Sequence, residues 1–167
     1  TIMQTPSQPS LGSMLQNAFA LNQAGRLDDA KRAANAILKI QPREANALYL
    51  LGIVAHQQGD AKKAAQWFEK SHKADRNNPA AVSGLGIVRL EQGRHREAVR
   101  LFDQVLKAMP DDPATHNNMG LAFIAQGKTK EAIEAHNKAI LLNPDSCEAH
   151  LNLGFAKLKT EQWQHGI

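Results

Sequence analysis

The side chains that could ligate a metal or carry acid–base chemistry are the seven histidines, the single cysteine and the acidic residues of this 167-residue sequence. The histidines are His56, His72, His95, His116, His136, His150 and His165. No His, Cys, Asp or Glu pair stands at metal-ligand spacing in an apolar setting. Cys147 opens a helix and has His150 three residues on, but a nucleophile also needs a walled site. We therefore expect neither a metal, nor a cofactor, nor a catalytic residue.

The acidic pairs and the glycines favour a structural interpretation as well. Asp28 and Asp29, like Asp111 and Asp112, stand at helix starts or linkers, where carboxylates interact favourably with the positive end of the helix dipole. The glycines stand singly at helix ends and form no phosphate-binding loop. The sequence therefore does not support an enzyme.

Composition indicates an ordinary water-soluble protein: 43% hydrophobic and 22% charged residues, with a net charge of +4. No apolar run approaches the ~20 residues that span a bilayer. Residues 1–10 contain two prolines and two serines, which predicts a flexible leader ending in Ser10 as a helix N-cap. They lack the basic and apolar regions of a signal peptide. We expect a cytoplasmic protein without membrane insertion, with a removed signal sequence as the alternative.

A fixed period organises the rest of the chain. The segment 126–132 has counterparts at 92–98, 58–64 and 24–30, each displaced by 34 residues from the next. Apolar residues recur at steps of three and four on both sides of each copy, which predicts two helices per period. A constant period without insertions is typical of a repeat array, in which each unit buries its core by stacking on its neighbours. The predicted units are 11–44, 45–78, 79–112, 113–146 and a partial unit, 147–167.

Small residues occupy two fixed positions of each unit. The eighth residues are Ala18, Gly52, Gly86, Gly120 and Gly154, and the twentieth are Ala30, Ala64, Ala98 and Ala132. Small side chains at these points allow the two helices to approach closely. The turn glycines Gly25, Gly59, Gly93 and Gly127 provide the left-handed conformation that ends the first helix of each pair.

These features together resemble the tetratricopeptide repeat. The resemblance rests on the 34-residue period, the Leu-Gly of the first helix, the turn glycine, the alanine at position twenty, Phe68 and Phe102 at position twenty-four, and the proline at position thirty-two. It implies an all-α, right-handed solenoid of antiparallel helix pairs with about four and a half repeats, whose first helices line a concave groove. It also implies that His116 and His150, at position four, pack against a neighbouring helix.

The fifth unit departs from the pattern because Glu161 replaces the turn glycine. We expect a helix from Glu148 to about Thr160, followed by a turn containing Trp163. Without a second helix, the apolar side formed by Leu151, Leu153, Phe155 and Leu158 would be partly bare. This predicts that the chain is a fragment of a longer protein, or that a second copy covers this end.

The family geometry places a set of mostly uncharged side chains in the groove. They are Phe19, Tyr49, Ile53, His56, Gln57, Ile87, Leu90, Glu91, Asn117, Asn118, Leu121, Ile124, Asn152 and Phe155. Most Lys and Arg residues lie on the second helices and turns. The groove lacks the Lys and Asn clamp of chaperone-binding repeats, because Leu15, Phe19, Leu50, Ala80 and Gly84 hold those positions. It also lacks the basic residues that bind nucleic acid.

Three functions stay open at this point. The first is a scaffold that binds an apolar or amphipathic peptide of another protein in its groove. The second is the substrate-recruiting arm of a larger enzyme, because Asn118 and Asn152 are similar to the asparagine ladder in the repeat arm of O-linked N-acetylglucosamine transferases. The third is self-assembly through the bare C-terminal face, which would make the protein a homo-oligomer.

Overall fold

The computed structural model describes residues 9–164, and it describes side chains for residues 9–160. This part of the chain contains nine α-helices and no strand. The helices are α1 (Leu11–Gln23), α2 (Leu27–Ile40), α3 (Ala45–Gln57), α4 (Ala61–Ala74), α5 (Pro79–Glu91), α6 (His95–Ala108), α7 (Pro113–Ala125), α8 (Thr129–Leu142) and α9 (Cys147–Gln164). The predicted helix pairs are confirmed. Of the predicted leader, residues 1–8 lie outside the described residues.

Each first helix is preceded by a side chain that caps it. Ser10, Glu44, Asn78, Asp112 and Ser146 each accept a hydrogen bond from a backbone N–H of the first turn, at 2.6–3.2 Å. These bonds satisfy donors that have no partner within the helix. The predicted N-cap at Ser10 is confirmed, and the same local device starts all five first helices.

Each pair of helices is separated by a turn with one glycine in the left-handed region. The φ angles are 73° at Gly25, 79° at Gly59, 74° at Gly93 and 74° at Gly127. A side chain with a Cβ adopts this conformation at a cost, whereas glycine adopts it freely. The prediction that these glycines end the first helices is confirmed.

The helices form two compact units, with the boundary between Asp75 and Arg76. The first unit contains α1–α4 around a core that includes Ala18, Ala34, Ile37, Leu50 and Val54. The second unit contains α5–α9, and Ala98, Phe102 and Ala122 form a buried cluster within it. The small residues at position twenty are buried in both units, as with Ala30 in the first and Ala98 in the second.

The glycine at position eight lies under a ring from the second helix of the same pair. A Cβ on Gly52 would lie 2.5 Å from Cδ1 of Phe68, and a Cβ on Gly86 would lie 2.6 Å from Cε1 of Phe102. No ordinary Cβ makes contacts that short, so the two helices approach as closely as they do because glycine is present. The predicted close approach is confirmed.

The prediction for the end of the chain is wrong in one respect. Helix α9 continues to Gln164, so Trp163 lies within a helix and no turn follows Thr160. The physical reason is the missing glycine. Glu161 forms helices readily and has a Cβ that disfavours the left-handed conformation of the other turns.

Candidate peptide-binding site

In the first unit, the predicted groove residues form an aromatic and aliphatic surface on α1 and α3. Phe19, Tyr49, Ile53 and His56 are half-buried, and Gln57 is exposed. The ring centroids of Phe19 and Tyr49 are 6.5 Å apart, within the range of favourable aromatic pairs. Burial raises the pKa of Tyr49, so its hydroxyl is uncharged at neutral pH. Neither α1 nor α3 contains Asp, Glu, Lys or Arg.

In the second unit, aliphatic side chains occupy the equivalent positions of α5 and α7. Ile87, Leu90, Leu121 and Ile124 are half-buried, and Glu91 is exposed. Ile87 and Leu90 pack against the buried cluster of this unit, so only one side of each is open. Fixed, half-covered aliphatic side chains of this kind can bury further apolar area against a ligand.

Much of the charge lies on the second helices and turns, where it is exposed. Lys63 pairs with Asp60 at 2.9 Å, and Lys107 pairs with Asp103 at 3.2 Å. Exposed pairs of this kind contribute little to stability. Because these charged side chains lie on other segments, α1, α3 and α7 present an uncharged surface.

Asn117 differs from its expected place in the groove, because its side chain is only 5% exposed. Its Nδ2 donates a hydrogen bond to Oε1 of Glu148 at 2.9 Å. Its Oδ1 accepts from Nδ2 of Asn152 at 3.1 Å and from Nδ1 of His136 at 3.0 Å. We call these four residues the Asn117 cluster. Asn117 holds α7, α8 and α9 together, and its amide is not free for a ligand.

His136 is the fully buried member of the Asn117 cluster. Because Oδ1 of Asn117 can only accept, the ring carries its proton on Nδ1. Nε2 is buried without a hydrogen-bond partner in the described part of the chain. Burial lowers the pKa of His136, and the charge of Glu148 opposes this shift. The ring is therefore neutral at neutral pH and does not cancel the charge of Glu148.

Sequence reasoning missed the role of His136, although a signal was present. His136 stands at position twenty-four of its unit, where Phe68 and Phe102 stand in the two preceding units. Those phenylalanines are buried on a glycine of the paired helix. A histidine at a position otherwise held by a core aromatic indicates a buried ring that needs a polar partner.

His116 and His150 stand at the same position of successive units and make the same hydrogen bond. Nε2 of His116 donates to the carbonyl of Pro110 at 2.8 Å, and Nε2 of His150 donates to the carbonyl of Pro144 at 2.8 Å. Both bonds join a first helix to the linker before it. The resemblance implied packing against a neighbouring helix, whereas the contacts in the structure are hydrogen bonds to the preceding linker, and His150 is exposed.

A cavity of about 230 Å³ lies beside the Asn117 cluster in the second unit. Its polar lining consists of Asn117, Asn118, Asn143, Ser146 and Glu148. The remaining lining residues are a proline and two alanines. Glu148 is the one ionisable side chain among these lining residues, so the cavity has a carboxylate at its edge and no basic residue.

The described residues contain no group of three or more His, Cys, Asp or Glu that could hold a metal ion. Cys147 is exposed at the start of α9. None of the helices within residues 9–164 combines the length and the apolar character that a bilayer crossing requires.

Three models of one repeat family match the chain. Two models described as tetratricopeptide repeat match residues 17–79 and 55–119, and one described as TPR repeat matches residues 120–160. The chain belongs to the tetratricopeptide repeat family. The all-α repeat fold predicted from the sequence is thereby confirmed, with four helix pairs and one further helix in the described residues.

Several solved tetratricopeptide repeat structures are similar to this chain. MamA from Desulfovibrio magneticus RS-1, residue 41 to its end, has a TM-score of 0.81 and 24% identity over 95% of this chain and 90% of that chain. PilF of Pseudomonas aeruginosa has a TM-score of 0.84 and 22% identity over 92% of this chain and 70% of that chain. A chain of the APC/C hetero-tetramer Cut9–Hcn1 has a TM-score of 0.82 and 17% identity over 89% of this chain and 30% of that chain. No curated protein matches. These likenesses show the fold.

Within this tetratricopeptide repeat protein, the two members of the proposed asparagine ladder differ. Asn118 is half-exposed and lines the cavity. Asn152 is also half-exposed, but its amide donates to Asn117. One of the two amides is therefore engaged within the protein, which weakens the similarity to a peptide-binding ladder.

Proposed function

We propose that this tetratricopeptide repeat protein is a non-catalytic scaffold whose first helices bind an apolar or amphipathic peptide segment of another protein. The observation that carries the proposal is the row of half-buried apolar side chains on helices that contain no charge. Phe19 and Tyr49 represent it in the first unit, and Leu121 and Ile124 represent it in the second.

The physical basis is the burial of apolar area. Each Å² removed from water contributes about 25 cal/mol, and side chains already fixed by the core lose little further freedom on binding. An amphipathic helix or an extended segment with apolar side chains can use such a surface. Because α1, α3 and α7 carry no charge, this part of the binding should depend weakly on salt.

A selection from a random peptide display library tests the proposal without knowledge of the natural partner. We expect the protein to enrich peptides with regularly spaced apolar residues. A synthetic copy of an enriched peptide should then lose measurable binding, by fluorescence anisotropy, to the double variant Ile87→Asp and Leu121→Asp. The matched control is Arg96→Glu with Lys130→Glu, which changes two exposed residues of the same unit.

Ile87 packs against the core, so the double variant also requires a check of its fold by circular dichroism. Leu121→Ala with Ile124→Ala is the milder pair, and it should weaken binding while the helices stay intact. Equal binding by the wild-type protein and a folded groove variant would disprove the proposal. So would a selection that enriches no apolar motif.

A second candidate function is association between two copies, and the exposed face of α9 favours it. Leu151, Phe155 and Leu158 recur at steps of four and three and are 74%, 56% and 59% exposed. Light scattering over a concentration series should show a dimer that Leu151→Gln with Phe155→Gln abolishes. A monomer at every concentration would exclude this function.

A further inference from the structure

We propose that the cavity beside the Asn117 cluster is a subsite for a cationic side chain, arginine or lysine, of the bound peptide. The inference rests on the proposed function for its place within a longer peptide. It adds a specificity element that the apolar surface does not have. Its basis is a carboxylate held at the edge of a cavity by a buried hydrogen-bond network.

Glu148 is exposed but oriented. One of its oxygens accepts the hydrogen bond from Nδ2 of Asn117, and Asn117 is fixed by two further bonds, from His136 and Asn152. An exposed glutamate without such a bond would sample many rotamers. Here the ordering cost of placing the carboxylate is met within the folded protein, which improves its ability to bind a ligand.

The charge of the subsite is negative and is not balanced within the cavity. No Lys or Arg is among the described residues that line it. The buried ring of His136 is neutral at neutral pH and adds no positive charge. Asp111, Asp112 and Asp145 lie in the linkers before α7 and α9 but do not line the cavity, and Asp111 pairs with Lys138 at 3.6 Å. A ligand group that donates hydrogen bonds and carries a positive charge complements this arrangement.

Size and polarity further restrict the occupant. A cavity of about 230 Å³ is the size of one large side chain rather than of a peptide segment. The amides of Asn118 and Asn143 and the hydroxyl of Ser146 provide further acceptors around the carboxylate. Several acceptors around one charge suit the multiple N–H groups of a guanidinium or ammonium group.

The equivalent positions elsewhere lack this chemistry. Glu148 is the second residue of its unit, where the earlier units have Gly12, Asn46, Ala80 and Ala114. Among the five units, this position therefore carries a carboxylate only in the last, and a cationic side chain bound there would help to fix the register of a peptide.

The test uses small probes on the full chain labelled with ¹⁵N. N-acetyl-arginine amide and N-acetyl-lysine amide should cause saturable shifts of the side-chain amide signals of Asn117, Asn118 and Asn143. N-acetyl-citrulline amide has nearly the same shape as the arginine probe but no charge, and it should cause none. Comparison of the two cationic probes assigns the preference between guanidinium and ammonium.

Glu148→Gln should abolish the response, because glutamine retains an oxygen that can accept from Asn117 but loses the charge. The matched control is Glu134→Gln, which removes an exposed carboxylate of α8 that does not line the cavity. The inference is wrong if the cationic probes cause no saturable shift, if citrulline binds equally well, or if Glu148→Gln still responds.

This experiment separates the subsite from the proposed function, because the probes have no apolar segment. Saturable arginine binding together with a failed library selection would support the subsite and refute the apolar peptide surface. Apolar enrichment without any response to the cationic probes would support the apolar peptide surface and refute the subsite. If the protein has both the apolar surface and the subsite, enriched peptides should contain a basic residue at a fixed distance from the apolar ones. Glu148→Gln should weaken the binding of such a peptide by about tenfold or more, because it removes a charged hydrogen-bond acceptor.

Discussion

A Cβ atom placed on Gly120 would lie 2.5 Å from Cε1 of His136 and 2.7 Å from each ring nitrogen. The same relationship joins Gly86 to Phe102 one period earlier. The second unit therefore uses one packing arrangement twice, once with a hydrocarbon ring and once with an imidazole. The histidine adds a hydrogen bond to Asn117, and its ring lies as close to the paired glycine as the ring of Phe102 does.

Gly120→Ala should destabilise the protein by about 1–3 kcal/mol, because the added methyl group displaces the ring of His136 and disturbs its bond to Asn117. Urea unfolding followed by circular dichroism measures the effect. Gly154→Ala is the matched control: it is the same position of the next unit, and nothing lies within 4 Å of its Cβ. That variant should be neutral or more stable by up to about 1 kcal/mol, since alanine favours helix. Equal loss in both variants would contradict the role of the ring contact.

The stability of the wild-type protein should fall as the pH falls below 6.5, the ordinary pKa of histidine, and His136 should contribute to that fall. Its folded-state pKa is lowered by burial, so the unfolded chain binds the proton more readily in this range. The contribution is fully present above 6.5 and is lost as the pH falls through the lower pKa of the folded state. His136→Phe should reduce the difference in unfolding free energy between neutral pH and mild acid. An unchanged difference would assign the acid sensitivity to other groups.

Asn117→Ala should cost about 1–3 kcal/mol, because it leaves His136 with a buried donor and no acceptor. Asn118→Ala removes the neighbouring, half-exposed amide and should cost much less. The double variant Asn117→Leu with His136→Phe should recover much of the loss, since it removes both partners of the buried bond. A double-mutant cycle in urea measures the coupling. If the free-energy losses of Asn117→Leu and His136→Phe measured singly add up to that of the double variant, the two residues are not coupled.

Gly93→Ala should destabilise the turn between α5 and α6 by about 1–2 kcal/mol, because φ at this residue is 74°. Asparagine enters the left-handed region more readily than other residues with a side chain, so Gly93→Asn should cost less than Gly93→Ala. Thermal unfolding of the two variants measures which of them is the less stable. Open space around this Cβ excludes a clash as the cause.

The period, the helix pairs and the turns could be predicted because their signals are local. A glycine such as Gly59 determines its own φ angle, and a capping residue such as Asp112 binds the N–H groups of the next turn. The end of α9 was mispredicted because the expectation of a turn came from the other units, whereas Glu161 lacks the property on which that turn depends.

The Asn117 cluster was beyond sequence reasoning for a different reason. Its four residues are contributed by three helices, and Asn117 bonds to Glu148 across 31 positions of the chain. The family resemblance placed Asn117 on the groove side of α7 but gave no measure of how deeply a neighbouring helix covers it. The histidine at position twenty-four was visible in the sequence, but its hydrogen-bond partner Asn117 could be identified only from the structure.

The caps that precede every first helix have a consequence for how such a chain can change its length. Residues 113–146 contain a turn glycine, a small residue at each packing position, and in Ser146 the cap for the helix that follows. Tandem duplication of that segment in a gene would therefore insert a helix pair that already contains its own turn glycine and the cap for the helix that follows. An insertion of another size within a helix would shift the packing positions that follow it in that unit, so whole periods are the natural unit in which this protein can gain or lose sequence.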